Sequence, residues 1–185
     1  MKKHRLAFID LETTGTNPDI HEIIEIGCIV AEQRPRSGRG PEVVKVEEFD
    51  IKVRPEHIKS ADPSALRVNG YNEADWLFAT DLKSALLTLI QKTEGSIVVG
   101  QNVSFDWGFL EKGFEKTGLE HAFHDYHMLD LVSLAFAKLY DDPDYNQKFG
   151  LRFLCERFGV KNEKAHTALA DIQATFEVYK KLLNA

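Results

Sequence analysis

The sequence is short of cysteine, of proline and of long hydrophobic runs, and each shortage excludes a class of protein. Its two cysteines, Cys28 and Cys155, stand far apart in apolar segments and form no CxxC pair among the 185 residues. A disulfide scaffold is therefore excluded, and we expect buried, reduced thiols in an intracellular protein. Six prolines and a hydrophobic fraction of 43% also exclude a collagen-like fibre and a disordered tail.

Membrane-spanning segments and an excess of positive charge are missing as well. No stretch approaches the roughly 18 apolar residues of a membrane span, and the first apolar run breaks at Asp10, too soon for a signal peptide. We therefore expect a cytoplasmic protein with no membrane partner. The net charge of −6 argues against a passive phosphate-binding surface. It is compatible with an enzyme that holds divalent cations, because each cation cancels two negative charges.

The chain has the length of one domain, and no repeat or linker divides residues 1–185. Apolar and β-branched runs predict strands at 6–12, 22–30, 43–53 and 96–100, of which the third is more polar and so is placed at a sheet edge. Helical periodicity predicts helices at about 82–90, 105–117, 130–140, 151–158 and 167–183. A strand or a loop precedes the helix at 130–140. This order predicts an α/β sheet covered by helices.

The first chemical signal lies in the opening strand. Side chains alternate across a strand, so Asp10 and Glu12 point to the same face near the strand's end. The flanking residues are apolar and indicate a strand that is buried on both faces. Two carboxylates this close repel each other unless a cation lies between them, and hard oxygen ligands suit Mg²⁺ or Mn²⁺.

The second signal is Asp106, which falls on the apolar side of its predicted helix. An aspartate in a first helical turn can also serve as a cap. Asn102 and Ser104 already offer capping side chains, which we expect to leave such a role for Asp106 partly redundant.

The third signal is Asp171, which shares a flank of the last predicted helix with small and apolar residues. A carboxylate in such surroundings needs a partner, and a metal ion is one candidate. His166 lies at the N-terminal edge of this helix. Histidine titrates close to neutral pH, which suits it to take a proton from water, although a single histidine before a helix is more often an ordinary surface residue.

Together these segments resemble a known family. FIDLETTG (8–15), NVSFD (102–106) and HTALAD (166–171) are similar to the three exonuclease motifs of the DnaQ-like DEDD superfamily, which includes the proofreading epsilon subunit of bacterial DNA polymerase III. The third motif is similar to the histidine subclass. The resemblance runs from about residue 5 to 183 and implies a ribonuclease H-like fold, a mixed β-sheet flanked by α-helices.

The resemblance also implies a reaction and a set of residues. The reaction is hydrolysis of the 3′-terminal phosphodiester of single-stranded nucleic acid, which releases nucleoside 5′-monophosphates by a mechanism with two divalent cations, Mg²⁺ or Mn²⁺. The implied metal ligands are Asp10, Glu12, Asp106 and Asp171, and the implied general base is His166.

By the same resemblance, the backbone near Thr13 would meet the terminal 3′ hydroxyl, and Asn102 and Phe105 would help to shape the pocket. Many relatives carry His-Gly where this chain has Asn69-Gly70. We expect that Asn69 could still donate a hydrogen bond to a phosphate or a base.

Two further groups of basic residues invite a function. Arg34, Arg36 and Arg39 lie in a Pro/Gly-rich loop at 34–41, which is most simply a hairpin connection exposed to solvent, although contact with a nucleic-acid backbone is an alternative. His121, His124 and His127 have a regular spacing that can indicate zinc. No cysteine lies nearby, and we assign no zinc site to them.

Three hypotheses follow. The leading one is an exonuclease that acts on single-stranded DNA. The second keeps the chemistry but changes the substrate to RNA 3′ ends or short oligoribonucleotides, and the third is a non-catalytic nucleic-acid-binding module. A binding module has no need of all four acids and the histidine. A DNA polymerase is a possible partner, but the sequence stops shortly after the third motif and has no long C-terminal docking tail, so we expect a stand-alone exonuclease or one domain of something larger.

Overall fold

The computed structural model describes residues 5–37, 40–124, 127–142 and 148–184. Within these ranges the strands are β1 (Arg5–Thr13), β2 (Ile23–Arg34), β3 (Glu42–Lys52), β4 (Ile97–Gly100) and β5 (Met128–Asp130). The helices are α1 (Pro63–Val68), α2 (Leu82–Thr93), α3 (Val103–Thr117), α4 (Leu131–Leu139), α5 (Leu151–Phe158) and α6 (Ala168–Leu182), with a short 3₁₀ turn at Ile58–Ser60. In the part of the chain that is described, no helix has the length and apolar character needed to cross a membrane.

The five strands form one mixed sheet in the order β3-β2-β1-β4-β5. β1, β2 and β3 pair antiparallel, whereas β1, β4 and β5 run parallel. The mixed sheet flanked by helices confirms the predicted fold class, and β3 lies at an edge as its polar pattern predicted. β2 continues four residues beyond the predicted end at residue 30.

The predicted hairpin between β2 and β3 is present, since Arg34 pairs with Glu42 in the antiparallel register. This hairpin lies at the end of the sheet opposite to the carboxyl end of β1, because β2 runs antiparallel to β1. Arg34 forms an ion pair with Glu32 at 3.2 Å and Arg36 is exposed. Arg39 lies outside the described residues.

Alternation along β1 divides the interior into two cores. Leu6 and Phe8 face the side covered by α4, α5 and α6, and Phe8 contacts the rings of Phe176 and Tyr179 edge to face at 5.1 Å. Ala7 and Ile9 face the other side, which is covered by α2 and α3. Asp10 and Glu12 continue the even-numbered series, so their side chains point toward the α6 side at the carboxyl end of β1.

Gly27 fixes how closely α6 approaches the sheet. It lies opposite Asp10 in the β1–β2 register. A Cβ atom at this position would lie 2.4 Å from the carbonyl carbon and oxygen of Ala168, the first residue of α6. The absent side chain therefore lets the start of α6 rest on β2 beside Asp10.

Candidate active site

Three carboxylates from two elements meet at the carboxyl end of β1. Asp10 and Glu12 come from the strand, and Asp171 comes from the first turn of α6. One oxygen of each side chain lies within 4.8 Å of the others. The structure thus brings together three of the four acids that were predicted from motifs far apart in the sequence.

The side chain of Asp106, the fourth acid, is hydrogen-bonded to the backbone of the same strand. It lies in the first turn of α3, is only 4% exposed, and accepts a hydrogen bond from the backbone N–H of Leu11 at 3.0 Å. β4 pairs with β1 only as far as Phe8, so Asp106 satisfies a donor beyond that pairing. Although it is not part of the 4.8 Å group, its carboxylate is bonded to the residue between Asp10 and Glu12.

The electrostatics of these acids favour a bound cation. Burial, followed by repulsion from Asp106, Asp171, Glu12 and Glu25, raises the pKa of Asp10 well above its ordinary value. Burial and then repulsion from Asp171 raise the pKa of Glu12 to about 8. Burial raises the pKa of Asp106 to about 8 even though the Leu11 hydrogen bond opposes the rise. A divalent cation would remove this penalty by compensating the negative charges.

Asp171 is held at both of its oxygens. The side-chain amide of Asn162 donates to Oδ1 at 2.6 Å, and the backbone N–H of His166 donates to Oδ2 at 3.0 Å. Sequence reasoning missed Asn162, because nothing in its local spacing shows that it would fold back onto a residue nine positions later. The other amide atom, Oδ1 of Asn162, is buried without a hydrogen-bond partner in the described part of the structure.

His166 lies directly before Thr167, the N-cap residue of α6. Its backbone has φ 70°, a left-handed conformation that residues with a Cβ rarely adopt, and its side chain is exposed. The hydrogen bond from the backbone N–H of His166 to Asp171 holds His166 in this conformation at the edge of the three carboxylates. An exposed imidazole here is accessible to water, as a general base requires.

The N-terminus of α3 is capped differently from the expectation. The side chain of Asn102, the N-cap residue, makes no capping hydrogen bond, and Ser104 donates to Asn102 Oδ1 at 3.4 Å. Instead, the carboxylate of Asp130 accepts the backbone N–H groups of Asn102 and Val103, each at 3.2 Å. The expected cap was wrong because Asp130, at the end of the neighbouring β5, reaches these donors across the sheet.

The remaining predicted substrate residues lie around the end of β1. Asn69 is buried, donates from Nδ2 to the carbonyl oxygen of Thr13 at 3.0 Å, and accepts the backbone N–H of Tyr71 at 3.1 Å. Thr13 in turn donates from Oγ1 to the carbonyl oxygen of Gly15 at 2.6 Å. The ring of Phe105 packs against Phe109 with centroids 5.1 Å apart. Asn69 thus ties the end of α1 to the end of β1.

Sequence reasoning also missed a buried glutamate beside the site, Glu25, which pairs with the exposed Asp50. Glu25 lies opposite Glu12 in the β1–β2 register and is hydrogen-bonded to Asp50. Burial and then the charge of Asp50 raise the pKa of Glu25 to about 7. Glu25 also accepts a hydrogen bond from the backbone of Ala168. It therefore contacts the start of the helix that carries Asp171.

Other titratable clusters have structural explanations. Glu22, Glu56 and His57 also come within 4.8 Å of one another, but Lys116 lies 2.7 Å from Glu56 and 3.7 Å from Glu22 and compensates their charge. His121 packs against Trp107 and Phe123, with ring centroids 5.2 and 5.6 Å apart. In the described ranges, no metal-ligating group includes His121, His124 or His127.

Comparison with solved structures identifies the fold. E. coli exonuclease I bound to single-stranded DNA, in a zinc-bound form, superposes with a TM-score of 0.77 at 21% identity, over 96% of this chain and 40% of that chain. A complex of the same exonuclease with a dT13 oligonucleotide superposes equally well, at 20% identity, over 97% of this chain and 41% of that chain. The fold is therefore the ribonuclease H-like exonuclease fold.

Sequence comparison adds the family. Residues 7–179 match the RNase_T exonuclease family, so the chain belongs to this family of DnaQ-like, DEDD 3′–5′ exonucleases. It is 26% identical over 200 residues to ribonuclease T of Shewanella frigidimarina, covering 98% of this chain and 86% of the relative. It is 27% identical over 184 residues to the epsilon subunit of DNA polymerase III of Haemophilus influenzae, covering 95% of this chain and 66% of that subunit.

DEDD exonucleases use divalent metal ions, and the donor set of this site fits such ions. Asp10, Glu12 and Asp171 offer only carboxylate oxygens, the ligands that Mg²⁺ and Mn²⁺ prefer. The proximity of the three carboxylates, together with the raised pKa values of Asp10 and Glu12, is what uncompensated ligands of a cation would show.

Proposed function

We propose that this protein removes nucleotides from the 3′ end of single-stranded DNA and releases nucleoside 5′-monophosphates. The observation that carries the proposal is the convergence of Asp10, Glu12 and Asp171 within 4.8 Å, with Asp106 bonded to the intervening backbone of Leu11. A non-catalytic binding module has no use for this concentration of negative charge, which would repel the phosphates of a nucleic acid unless cations intervened.

In this proposal the four acids hold a pair of divalent cations, Mg²⁺ or Mn²⁺. When bound, such a pair supplies an activated water and stabilises the charge on the departing 3′ oxygen. Asp10 is repelled by Asp106, Asp171 and Glu12, so it would help to hold both cations. Glu12 and Asp171 would complete the ligands of one cation, and Asp106 would help to hold the other.

His166 would act as the general base, as in the histidine subclass. The left-handed backbone and the hydrogen bond to Asp171 hold His166 next to the acids, while its exposed ring reaches water. The ring would accept the proton of the attacking water, a role that typically contributes about 10²–10⁴-fold to a rate.

The terminal nucleotide would bind beside the end of β1. Asn69 donates a hydrogen bond to the carbonyl oxygen of Thr13 and thereby orients the Thr13 backbone. We assign this backbone to binding of the terminal 3′ hydroxyl. Asn102 and Phe105, at the start of α3, would form the wall of the pocket. The 2′ hydroxyl decides between DNA and RNA. RNA is the second candidate, because ribonuclease T is a relative that this chain covers over 86% of its length.

The proposal is tested with DNA and RNA oligonucleotides of identical sequence, each with a free or a blocked 3′ end, in Mg²⁺ and in EDTA. We expect Mg²⁺-dependent shortening of DNA from the free 3′ end, and abolition of activity in Asp10→Ala with the fold intact by circular dichroism. Glu94→Ala, which removes an exposed acid at the end of α2, is the control and keeps full activity. Full activity in Asp10→Ala would refute the metal site, and faster digestion of RNA would favour the second candidate.

A further inference from the structure

Three exposed aromatic rings and one half-buried ring, that of Phe149, lie on the outer face of α4 and at the start of α5. We define this aromatic ledge as Phe136, Tyr140, Phe149 and Phe153. Phe136 is 52%, Tyr140 71% and Phe153 36% exposed. The ring of Phe136 lies between two others, with its centroid 5.7 Å from that of Tyr140 and 6.0 Å from that of Phe149. Single exposed apolar residues are ordinary, but a contiguous row of rings marks a binding surface.

A hydrogen bond joins the aromatic ledge to the residue that precedes the proposed pocket wall. Gln101, which directly follows β4, donates from Nε2 to the carbonyl oxygen of Phe149 at 2.6 Å. The next residue is Asn102, which we assign to the wall of the terminal-nucleotide pocket. The row of rings therefore begins beside the proposed pocket and leads away from it along α4.

The chemistry of the aromatic ledge suits nucleic-acid bases. Bases of any sequence stack on aromatic side chains, and cations beside such rings add attraction for the phosphates. The ammonium group of Lys148 lies 4.5 Å from the centre of the Phe153 ring. Arg152, on the same turn of α5, is exposed and paired with Glu156 at 3.0 Å. Because the whole chain carries a net charge of −6, binding here would depend more on stacking than on phosphate contacts.

We propose that the aromatic ledge binds the single strand upstream of the 3′-terminal nucleotide, by stacking successive bases on Phe149, Phe136 and Tyr140. This inference rests on the proposed function and extends it by a second binding region outside the carboxylate site. A protein partner would also accept exposed rings. The continuity with Gln101 and the cation beside Phe153 favour the nucleic acid.

The test compares substrate lengths. The double variant Phe136→Ala/Tyr140→Ala is assayed with dT4 and dT20, alongside the wild type and Leu87→Ala, an exposed apolar residue of α2 on the other side of the sheet. We expect KM for dT20 to rise roughly 10-fold or more in the double variant, with kcat and the KM for dT4 unchanged. Leu87→Ala leaves both substrates unaffected. Phe136→Tyr/Tyr140→Phe keeps the rings and restores the wild-type KM for dT20.

Two results would overturn the inference. One is a double variant whose KM for dT20 equals that of the wild type, which is also what a surface for a protein partner would give. The other is an equal loss on dT4 and dT20. Fluorescence anisotropy of a 3′-blocked, labelled dT20 in EDTA separates this inference from the proposed function, since it measures binding without cleavage. If the wild-type protein binds dT20 but does not cleave it, and the double variant binds dT20 more weakly, the aromatic ledge is supported and the nuclease function is refuted.

Discussion

The position of Asp171 depends on two hydrogen bonds, one from a residue outside the motifs and one from the backbone of a motif residue. Its two oxygens accept from Asn162 and from the backbone of His166, and the left-handed conformation of His166 brings that N–H into reach. Partners of this kind orient a metal-binding carboxylate without touching the metal themselves. The geometry of the site therefore depends on a residue that carries no charge.

Replacing Asn162 tests this dependence. We expect Asn162→Ala to raise the Mn²⁺ concentration for half-maximal exonuclease activity by about 10–100-fold, the usual effect of losing such a partner, because Oδ1 of Asp171 is then no longer held. The measurement is a Mn²⁺ titration of activity. Asn184→Ala is the matched control, since the Asn184 amide donates to the carbonyl oxygen of Lys180 at the far end of α6. An unchanged half-activation concentration in Asn162→Ala would show that His166 alone positions Asp171.

At this scale the sequence predicted the acids but not their partners. Alternation placed Asp10 and Glu12 on one face, and helical periodicity placed Asp106 on the buried side, which its 4% exposure confirms. Asn162 and Asp130 escaped prediction because their hydrogen bonds depend on tertiary placement. No periodic pattern in one sequence records a contact between elements.

Among the elements, α6 decides whether the site is assembled. It carries Asp171 in its first turn and follows His166, and its start rests on β2 at Gly27. The strand contributes the other two acids of the group. The distance between α6 and the sheet thus sets the distance between the ligands.

The contact at Gly27 can be tested by adding one methyl group. Gly27→Ala is expected to lower the free energy of unfolding by about 1–3 kcal/mol, because the new Cβ would meet the backbone of Ala168, which cannot rotate away. We also expect Mn²⁺ to raise the free energy of unfolding less than in the wild type, because α6, which carries Asp171, moves away from Asp10. Urea unfolding with and without Mn²⁺ provides both quantities.

Gly108→Ala is the control for that variant. In α3 a Cβ at residue 108 would meet only the ring of Pro18 at 3.8 Å, and alanine is the better helix former. It should raise stability by roughly 0.5–1 kcal/mol. Equal changes in the free energy of unfolding in the two variants would mean that α6 shifts to accommodate the extra methyl group at residue 27.

Most elements followed from the apolar pattern, and the two that did not are short. The strands at 6–12, 22–30, 43–53 and 96–100 and the five predicted helices correspond to elements of the structure. α1 has six residues and β5 has three, too few to establish a period, so α1 was missed and β5 was left open between strand and loop.

For the whole molecule, concentrated negative charge makes stability depend on both pH and metal. The pKa values of Glu12 and Asp106 are raised to about 8 in the folded protein, so folding favours their protonated forms. Their contribution to stability is complete below the ordinary pKa of a carboxyl group, about 4, and is lost as the pH rises toward 8. A bound divalent cation reverses this loss by stabilising the charged forms.

We therefore expect the Tm of the metal-free protein to fall between pH 5 and pH 8.5, and the increase in Tm on adding Mn²⁺ to be larger at pH 8.5. Each 1 kcal/mol corresponds to roughly 2–4 °C for a chain of this size. Differential scanning calorimetry in EDTA and in Mn²⁺ measures both effects. Asp10→Asn/Glu12→Gln should flatten the pH dependence and the metal response together. A metal-free Tm that rises toward pH 8.5 would contradict the assignment.

Cys28 and Cys155 lie in different cores. Cys28 packs on the α2–α3 side of the sheet and Cys155 on the α4–α6 side, and both are buried free thiols. Burial raises the pKa of each, to about 11 for Cys155. Alkylating reagents attack only the exposed thiolate. The rates at which the two thiols are labelled would therefore report how often each layer of the molecule opens, and a single mass-spectrometric time course could show whether the two layers open together.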